Sequence, residues 1–397
     1  MDIERIILAL FVIVAHFHHR DMGGALNYVS EGPVQEILIR FTESVVMCTI
    51  QCYIMQSGYF AEAFRRSSSV SAAVNGPVGD QNAIHTSDTK TRIRLPYKKA
   101  ILLLATCSFY RVTGYIAYVA FISHDFSVKT FIGYLIPSNW FVCLFVTLLL
   151  LSPFIIRLTE VIDDKAFDLL TALLLILFVV VPTVTTLGSA LGGVNLNGLA
   201  TVTFAGDVSG FNIALFVTMY VLGMWIYRKA EYLNRFSAWT YFTAFLLFAI
   251  LITVISHITE TVWDYSDILV VCEAVTFTLM FTRIRSAGER ATGSSTSVSG
   301  ESTDRSAARG ERIGKVITAL AGCSYGIFIW HTMPVMIFGL WPHFDIPGHF
   351  AAGSGVGSIL GCFASAVLSM YFLSLIWVLT CRLVRTKISS ILSKRNK

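Results

Sequence analysis

The feature that most constrains this chain is a series of apolar runs, each long enough to cross a bilayer as a helix. A membrane-spanning α-helix needs about 20 mostly apolar residues. Ten such segments lie near residues 3–20, 36–60, 99–122, 135–156, 167–187, 209–227, 236–256, 267–283, 314–340 and 354–381. Only 14% of the residues are charged, whereas soluble domains carry about 25%. The sequence therefore predicts an all-α, polytopic integral membrane helical bundle.

The distribution of Lys and Arg predicts how the bundle is oriented. Basic residues concentrate in segments 61–99 and 283–315, in the tail 382–397, and in the short turns 157–166 and 228–235. Ten crossings put all five segments on one side of the membrane. The positive-inside rule makes that side cytoplasmic. We therefore predict a multi-pass protein of the cell membrane with both termini in the cytoplasm.

Two of the basic segments contain stretches that are poorly suited to a packed core. Residues 61–91 and 286–311 are rich in Ser, Gly, Ala and Thr, and their apolar residues follow no regular period. Such segments bury too little apolar surface to offset the entropy lost on ordering. We therefore predict disordered cytoplasmic loops there, within a single membrane domain over residues 1–397 that includes a basic tail at 382–397.

The composition argues against two classes of ligand. The net charge of +5 follows from loops beside apolar helices, so it indicates membrane lipids rather than nucleic acid as the partner. The eight cysteines are scattered singly, and only Cys48 and Cys52 have helical spacing. No nearby pair completes a metal site, so we interpret the cysteines as buried structural thiols and expect no metal.

The first apolar run contains two polar side chains, Arg5 and His16, separated by ten apolar residues. Eleven helical steps of 100° return to nearly the same face, so both side chains share one stripe, about 16 Å apart. Histidine is the side chain most easily poised as a base near neutral pH. His16, His19 and Arg20 also share a face, and the alternative reading is a cluster that snorkels to the interface.

Three more ionisable side chains lie within predicted helices. Glu43 has a depth comparable with that of His16, and is either an interfacial carboxylate or a partner that orients His16. Arg111 lies near mid-membrane and needs a partner, for which Glu273 or Glu43 is available. A structural ion pair and a role in a site are both open for Arg111. His331 falls at the outer end of the ninth helix.

Two features lie at the predicted cytoplasmic surface. Ser57-Gly58 ends the second helix and permits a bend or a close approach of another element. The run from Lys90 to Lys99, which contains Arg92 and Arg94, leads into the third helix. It either retains positive charge inside or clamps the phosphates of a cytoplasmic cofactor.

Together these features resemble membrane acyltransferase family 3, ten-helix enzymes that O-acylate carbohydrates and related molecules. Arg5 and His16 match the family's Arg-x10-His spacing, and Ser57-Gly58-Tyr59-Phe60 resembles its Ser-Gly-aromatic signature. Further similarities are Arg92-Ile-Arg94-Leu-Pro96-Tyr97, Asn139-Trp140-Phe141 leading to Pro153, Tyr220-Val-Leu-Gly223, and Ser324-Tyr325-Gly326-Ile327 to His331. Two departures are Arg92-x-Arg94 in place of Arg-x-x-Arg, and Phe328 in place of the commoner tyrosine.

The resemblance implies a function. An acetyl or other short acyl group would pass from acyl-CoA, the donor co-substrate, to a hydroxyl of a glycan or glycolipid. The resemblance suggests His16 as the general base, with Glu43 to orient it. It suggests a donor site made of Arg5, Arg92, Arg94, Ser57 and Gly58. Lesser substrate or charge-stabilising roles fall to Arg111, His19, Glu273 and His331.

Two other functions fit a bundle with buried charges. One is a transporter or flippase that moves a lipid-linked glycan or an acyl group without chemistry. The other is a scaffold in a complex that assembles surface polysaccharide. Neither predicts a base about one acyl-arm length from a cytoplasmic basic clamp.

Overall fold

The computed structural model describes residues 1–74, 93–193, 196, 210–294 and 312–395. Within these ranges the chain forms helices and turns, and no strand is present. The first helices are α1 (Asp2–His18), α2 (Pro33–Val46), α3 (Thr49–Val74), α4 (Tyr97–Tyr118), α5 (Val128–Leu135), α6 (Trp140–Val161), α7 (Asp164–Leu175) and α8 (Val181–Gly192). The remaining helices are α9 (Ile213–Arg228), α10 (Ala230–Leu233), α11 (Ala238–Ser256), α12 (Ile268–Ser294), α13 (312–321), α14 (Ser324–Trp330), α15 (Pro334–Ile337), α16 (Ile346–Phe350) and α17 (Val356–Arg395).

The protein is an all-helical, multi-pass membrane protein. Among the described residues, seven helical stretches are long and apolar enough to cross a bilayer. They are Pro33–Ser67, Tyr97–Ser123, Val128–Val161, Asp164–Gly192, Ala238–Ser256, Arg312–Trp330 and Val356–Lys387. Helix α9 is apolar but has only 16 residues, and α1 has 17. Each of the ten predicted segments contains a helix. Among the described residues, however, only seven helical stretches have the length and apolar composition needed for a crossing.

Part of each segment for which disorder is predicted is helical in the structure. Helix α3 continues to Val74 and α12 continues to Ser294, so residues 61–74 and 286–294 are helical. One physical reason is visible at Glu62, which pairs with Arg65 and Arg66 at i+3 and i+4 and thereby supports the turn beyond the apolar run. Residues 75–91 and 295–311 lie outside the described residues. The basic tail is likewise helical as far as Arg395.

Helices α3 and α9 cross at close range. A Cβ atom on Gly58 would lie 1.9 Å from the carbonyl oxygen of Tyr220. A Cβ atom on Gly223 would lie 2.0 Å from the carbonyl oxygen of Met55. Small residues let membrane helices approach backbone to backbone. The same crossing therefore requires both glycines, Gly58 in α3 and Gly223 in α9.

One face of the bundle is strongly basic, and we call it the basic face. Arg228 at the end of α9 donates a hydrogen bond of 2.9 Å to the buried carboxylate of Glu62. Its guanidinium also lies 4.0 Å from the ring centroid of Phe167 in α7. Helix α1 begins on the same face, where Arg5 and Arg285 both lie within 6 Å of the Phe60 ring. We call the other side of the bundle the opposite face.

Candidate active site

The side chains of His16 and His331 are in direct contact. Helices α1 and α14 pack against each other, and this brings His16 Nδ1 to 2.8 Å from His331 Nε2. Each ring also contacts the carbonyl one helical turn earlier in its own chain segment. His16 Nδ1 lies 2.9 Å from the Val12 oxygen, and His331 Nδ1 lies 2.8 Å from the Ile327 oxygen. His331 is fully buried, whereas His16 is half-buried.

A cavity of about 650 Å³ opens beside His16 toward the opposite face, and we call it the aromatic cavity. Its polar lining includes His16, His19, Glu43, Asn139, Asp264 and Thr332. Its aromatic lining is Trp140, Phe211, Trp263, Tyr265 and Phe328. The rings of Trp140 and Tyr265 stack at 6.0 Å with an interplanar angle of 28°. Burial raises the pKa of the Tyr265 phenol, which therefore stays protonated and can donate a hydrogen bond.

A second cavity, of about 300 Å³, lies toward the basic face, and we call it the Arg5 cavity. Its polar lining comes from Arg5, Tyr53, Gln56, Ser57, Ser324 and Tyr325, and its apolar lining includes Phe141 and Phe145. Phe328 lines both cavities, and its ring centroid lies 4.9 Å from that of Phe141. Phe328, one helical turn from His331, therefore lies where the two cavities adjoin.

Arg5 is held at one end of this second cavity. Its Nε donates to the Gln56 side chain at 3.2 Å, and its guanidinium lies 5.5 Å from the Phe60 ring centroid. The hydroxyls of Ser324 and Tyr53 both donate to the Arg5 carbonyl oxygen, at 3.1 and 3.3 Å. These contacts fix α1 against α3 and α14 at the depth of the cavity.

The other residues expected at the donor site are distributed more widely. Ser57 lines the Arg5 cavity, and its hydroxyl donates to the Tyr53 carbonyl. Gly58 instead faces α9 at the tight crossing. Arg94 is exposed just before α4, whose Leu103 lines the Arg5 cavity. Arg92 lies outside the described residues.

Glu43 does not orient His16 as expected. Its carboxylate accepts a hydrogen bond of 2.7 Å from Nδ1 of His18, and the Thr42 hydroxyl lies 3.0 Å from the other ring nitrogen of His18. His18 is fully buried. His16 and His18 point about 200° apart on one helix, so depth alone could not identify which of the two meets Glu43. His18 is the polar residue that sequence reasoning missed.

Of the two alternatives open for Arg111, no ion pair with a carboxylate is present among the described residues. Arg111 donates to the Ser138 carbonyl at 3.2 Å and lies over the Tyr134 ring, at 5.0 Å from its centroid. Glu273 is buried, and its carboxylate oxygens have no hydrogen-bond partner among the described residues. The reason is helix packing: α12 packs mainly on α11 and α3, whereas α4 packs on α5, α6 and α14.

His19 lies at the rim of the aromatic cavity. It is exposed, its ring centroid lies 6.4 Å from that of His16, and its Nδ1 accepts a hydrogen bond from the Asp21 amide. The neighbouring Arg20 pairs with Glu260 at 2.9 Å, also on the surface. Within the described ranges, no group of three or more His, Cys, Asp and Glu side chains could hold a metal ion.

Comparison with known proteins identifies a family. A family model described as an acyltransferase domain matches residues 1–378, which is nearly the whole chain. No curated protein and no solved structure matches. The matched region includes the histidine pair and both cavities.

Proposed function

The chain belongs to acyltransferase family 3, and from this premise we propose that it transfers an acetyl or other short acyl group from acyl-CoA to a hydroxyl of a glycan or glycolipid. The observation that carries the proposal is the position of His16, which lines the aromatic cavity together with Phe328, a residue that also lines the Arg5 cavity. Such an arrangement lets two substrates reach one base from opposite faces.

The Arg5 cavity is the proposed donor site. Arginine binds phosphate groups through a planar fork of donors, and Arg5 stands at the basic face, which the positive-inside rule makes cytoplasmic. Arg94 lies just before α4, and Arg92 precedes it by two residues in the sequence. From Arg5 the pantetheine arm would run along α1 toward His16, about 16 Å deeper.

The aromatic cavity is the proposed acceptor site. Its volume falls within the roughly 300–1,000 Å³ that small-molecule sites occupy, and it combines aromatic faces with polar groups. A sugar ring has the same two-sided chemistry, because its C–H faces are apolar while its hydroxyls need hydrogen-bond partners. Trp140 and Tyr265 supply flat amphipathic surfaces for the C–H faces. Glu43, Asn139 and Asp264 supply polar atoms for the hydroxyls.

The proposed chemistry is direct transfer with His16 as general base. The imidazole takes the proton of the acceptor hydroxyl while the oxygen attacks the thioester carbonyl carbon. The carbon–sulfur bond then breaks, the acyl group stays on the acceptor oxygen, and the sulfur receives the proton from His16. A positioned general base contributes typically about 10²–10⁴-fold to such a step.

The direct test is turnover by the purified full chain in lipid nanodiscs. Labelled acetyl-CoA and a panel of glycan and glycolipid acceptors are supplied, and free CoA and acylated product are measured. Label on an acceptor hydroxyl, in equal amount to the CoA released, supports the proposal. Movement of a lipid-linked glycan across a proteoliposome, with no loss of thioester for any acceptor, would favour the transporter instead.

A further inference from the structure

His331 has no part in the proton transfer just described, yet it is the only described side chain that hydrogen-bonds the ring of His16. It is 1% exposed, and both of its ring nitrogens make close polar contacts. The two histidines are 315 residues apart in sequence. A buried polar side chain that faces a catalytic group calls for an explanation of what it does to that group.

The contacts determine which nitrogens carry protons. A carbonyl oxygen can only accept a hydrogen bond, so the Ile327 contact requires a proton on His331 Nδ1. In a neutral His331, Nε2 is then an acceptor, and the proton between the rings belongs to His16 Nδ1. The Val12 carbonyl also faces His16 Nδ1 and requires the same proton. All three contacts are therefore satisfied by one assignment.

The reverse assignment satisfies fewer contacts. If His331 Nε2 donated to His16 Nδ1, both neutral rings would present Nδ1 lone pairs to carbonyl oxygens, at 2.9 and 2.8 Å. Leaving buried polar groups without partners costs about 1–3 kcal/mol for each group. The chain of donors thus runs from His16 to His331 and from His331 to the Ile327 carbonyl.

We infer that His331 is a positioning residue, which holds His16 in the tautomer with the proton on Nδ1. His16 Nε2 then keeps its lone pair, and no described residue hydrogen-bonds this atom. It is therefore the nitrogen available to take the acceptor proton. After proton uptake, the Nδ1–H of the imidazolium still donates to His331. The inference rests on the proposed function, because it gives His331 its role through the base.

Three substitutions separate positioning from a merely structural role. His331→Gln puts an amide oxygen near the position of Nε2, where it can accept from His16. His331→Asn is polar but shorter, so it reaches Ile327 and not His16. His331→Leu has similar bulk and no acceptor. We expect His331→Asn and His331→Leu to lower kcat about 100-fold, the lower end of what a general base contributes, while KM for acyl-CoA stays within twofold. We expect His331→Gln to recover at least a tenth of the wild-type kcat.

A spectroscopic measurement tests the same inference without turnover. Solid-state NMR of 15N-histidine protein in lipid reports the protonation of each ring nitrogen, and the His16 signals are assigned by their loss in His16→Ala. We expect a single Nδ1-protonated His16 in the wild type and in His331→Gln. In His331→Leu we expect a substantial Nε2-protonated fraction.

The two readouts distinguish the possible failures. If wild-type His16 is Nδ1-protonated but no acyl transfer is found, the proposed function is wrong and the tautomer assignment stands. If wild-type protein is active but His16 carries its proton on Nε2, the positioning role is overturned. Equal kcat losses in His331→Gln and His331→Leu would also overturn it.

Discussion

The ring centroids of Phe328 and Phe141 lie 4.9 Å apart at the boundary between the two cavities. Phe328 belongs to both cavities, while Phe141 lines only the Arg5 cavity. On the proposed path from the Arg5 cavity to His16, the thioester passes these two rings.

The position of these two rings predicts that Phe328 limits the length of the acyl group that the enzyme accepts. Phe328→Ala opens space beside the proposed path of the thioester, so longer acyl groups should be accepted better relative to acetyl. Two methylenes are worth about 1.6 kcal/mol of apolar burial, so the ratio of kcat/KM for butyryl-CoA to that for acetyl-CoA should rise about tenfold. Phe245→Ala is the matched control, because Phe245 is also buried but packs against Phe277 and lines neither cavity. An unchanged ratio in Phe328→Ala would place acyl selection elsewhere.

The Arg5 cavity predicts an effect on the donor alone. Arg5→Gln removes the charge that faces the proposed phosphate site, so KM for acyl-CoA should rise about tenfold, the loss of one charge-assisted hydrogen bond. KM for the acceptor should not change. Arg20→Gln is the matched control, because Arg20 pairs with Glu260 on the surface of the opposite face. An equal rise in KM for acyl-CoA from both substitutions would mean that Arg5 acts only through its long-range charge and not through contact with the phosphates.

The crossing of α3 and α9 predicts a loss of stability that is independent of catalysis. Gly58→Ala and Gly223→Ala each force a methyl group against a backbone carbonyl, and overpacking of this kind costs typically about 1–3 kcal/mol. The apparent Tm in detergent should fall for both. Gly361→Ala in α17 is the control, since its added methyl group meets nothing within 4 Å. Its Tm should stay the same or rise slightly, because alanine is the better helix former.

The buried contact of Glu43 with His18 predicts energetic coupling between those two residues. In a double-mutant cycle on unfolding, Glu43→Gln and His18→Leu should show an interaction energy of about 0.5–3 kcal/mol, the range for residues in contact. Glu43→Gln and His331→Leu should be additive. Additivity of the first pair, or a large coupling in the second, would contradict the corrected partner of Glu43.

Sequence patterns predicted the helices well because the backbone of a segment buried in lipid must form its hydrogen bonds within the chain. Within a bilayer every backbone polar group must be satisfied inside the chain, so a long apolar run becomes a helix wherever it lies. The stripe that joins Arg5 and His16 follows from the same helical geometry. Both residues accordingly lie on α1, and each lines one of the two cavities.

Contacts between helices could not be predicted in the same way. Helical periodicity gives the face on which a side chain lies but not the neighbour that the face meets. Glu43 meets His18 instead of His16, Arg111 meets Ser138 and Tyr134 instead of a carboxylate, and His331 meets His16. Each partner depends on how segments far apart in the chain pack together, and helical periodicity in a single sequence does not reveal that packing. The Ser57-Gly58 pair predicted a bend or a close approach of another element, but not that this element is α9.

The most direct test of the central claim is the transfer rate of His16→Ala measured together with its affinity for acyl-CoA. We predict that acyl transfer to the acceptor falls about 10²–10⁴-fold, while the Kd for acyl-CoA stays within twofold of the wild type. His343→Ala, at an exposed histidine that lines neither cavity, should keep near-normal transfer. Wild-type rates of transfer in His16→Ala would contradict the claim that His16 is the base.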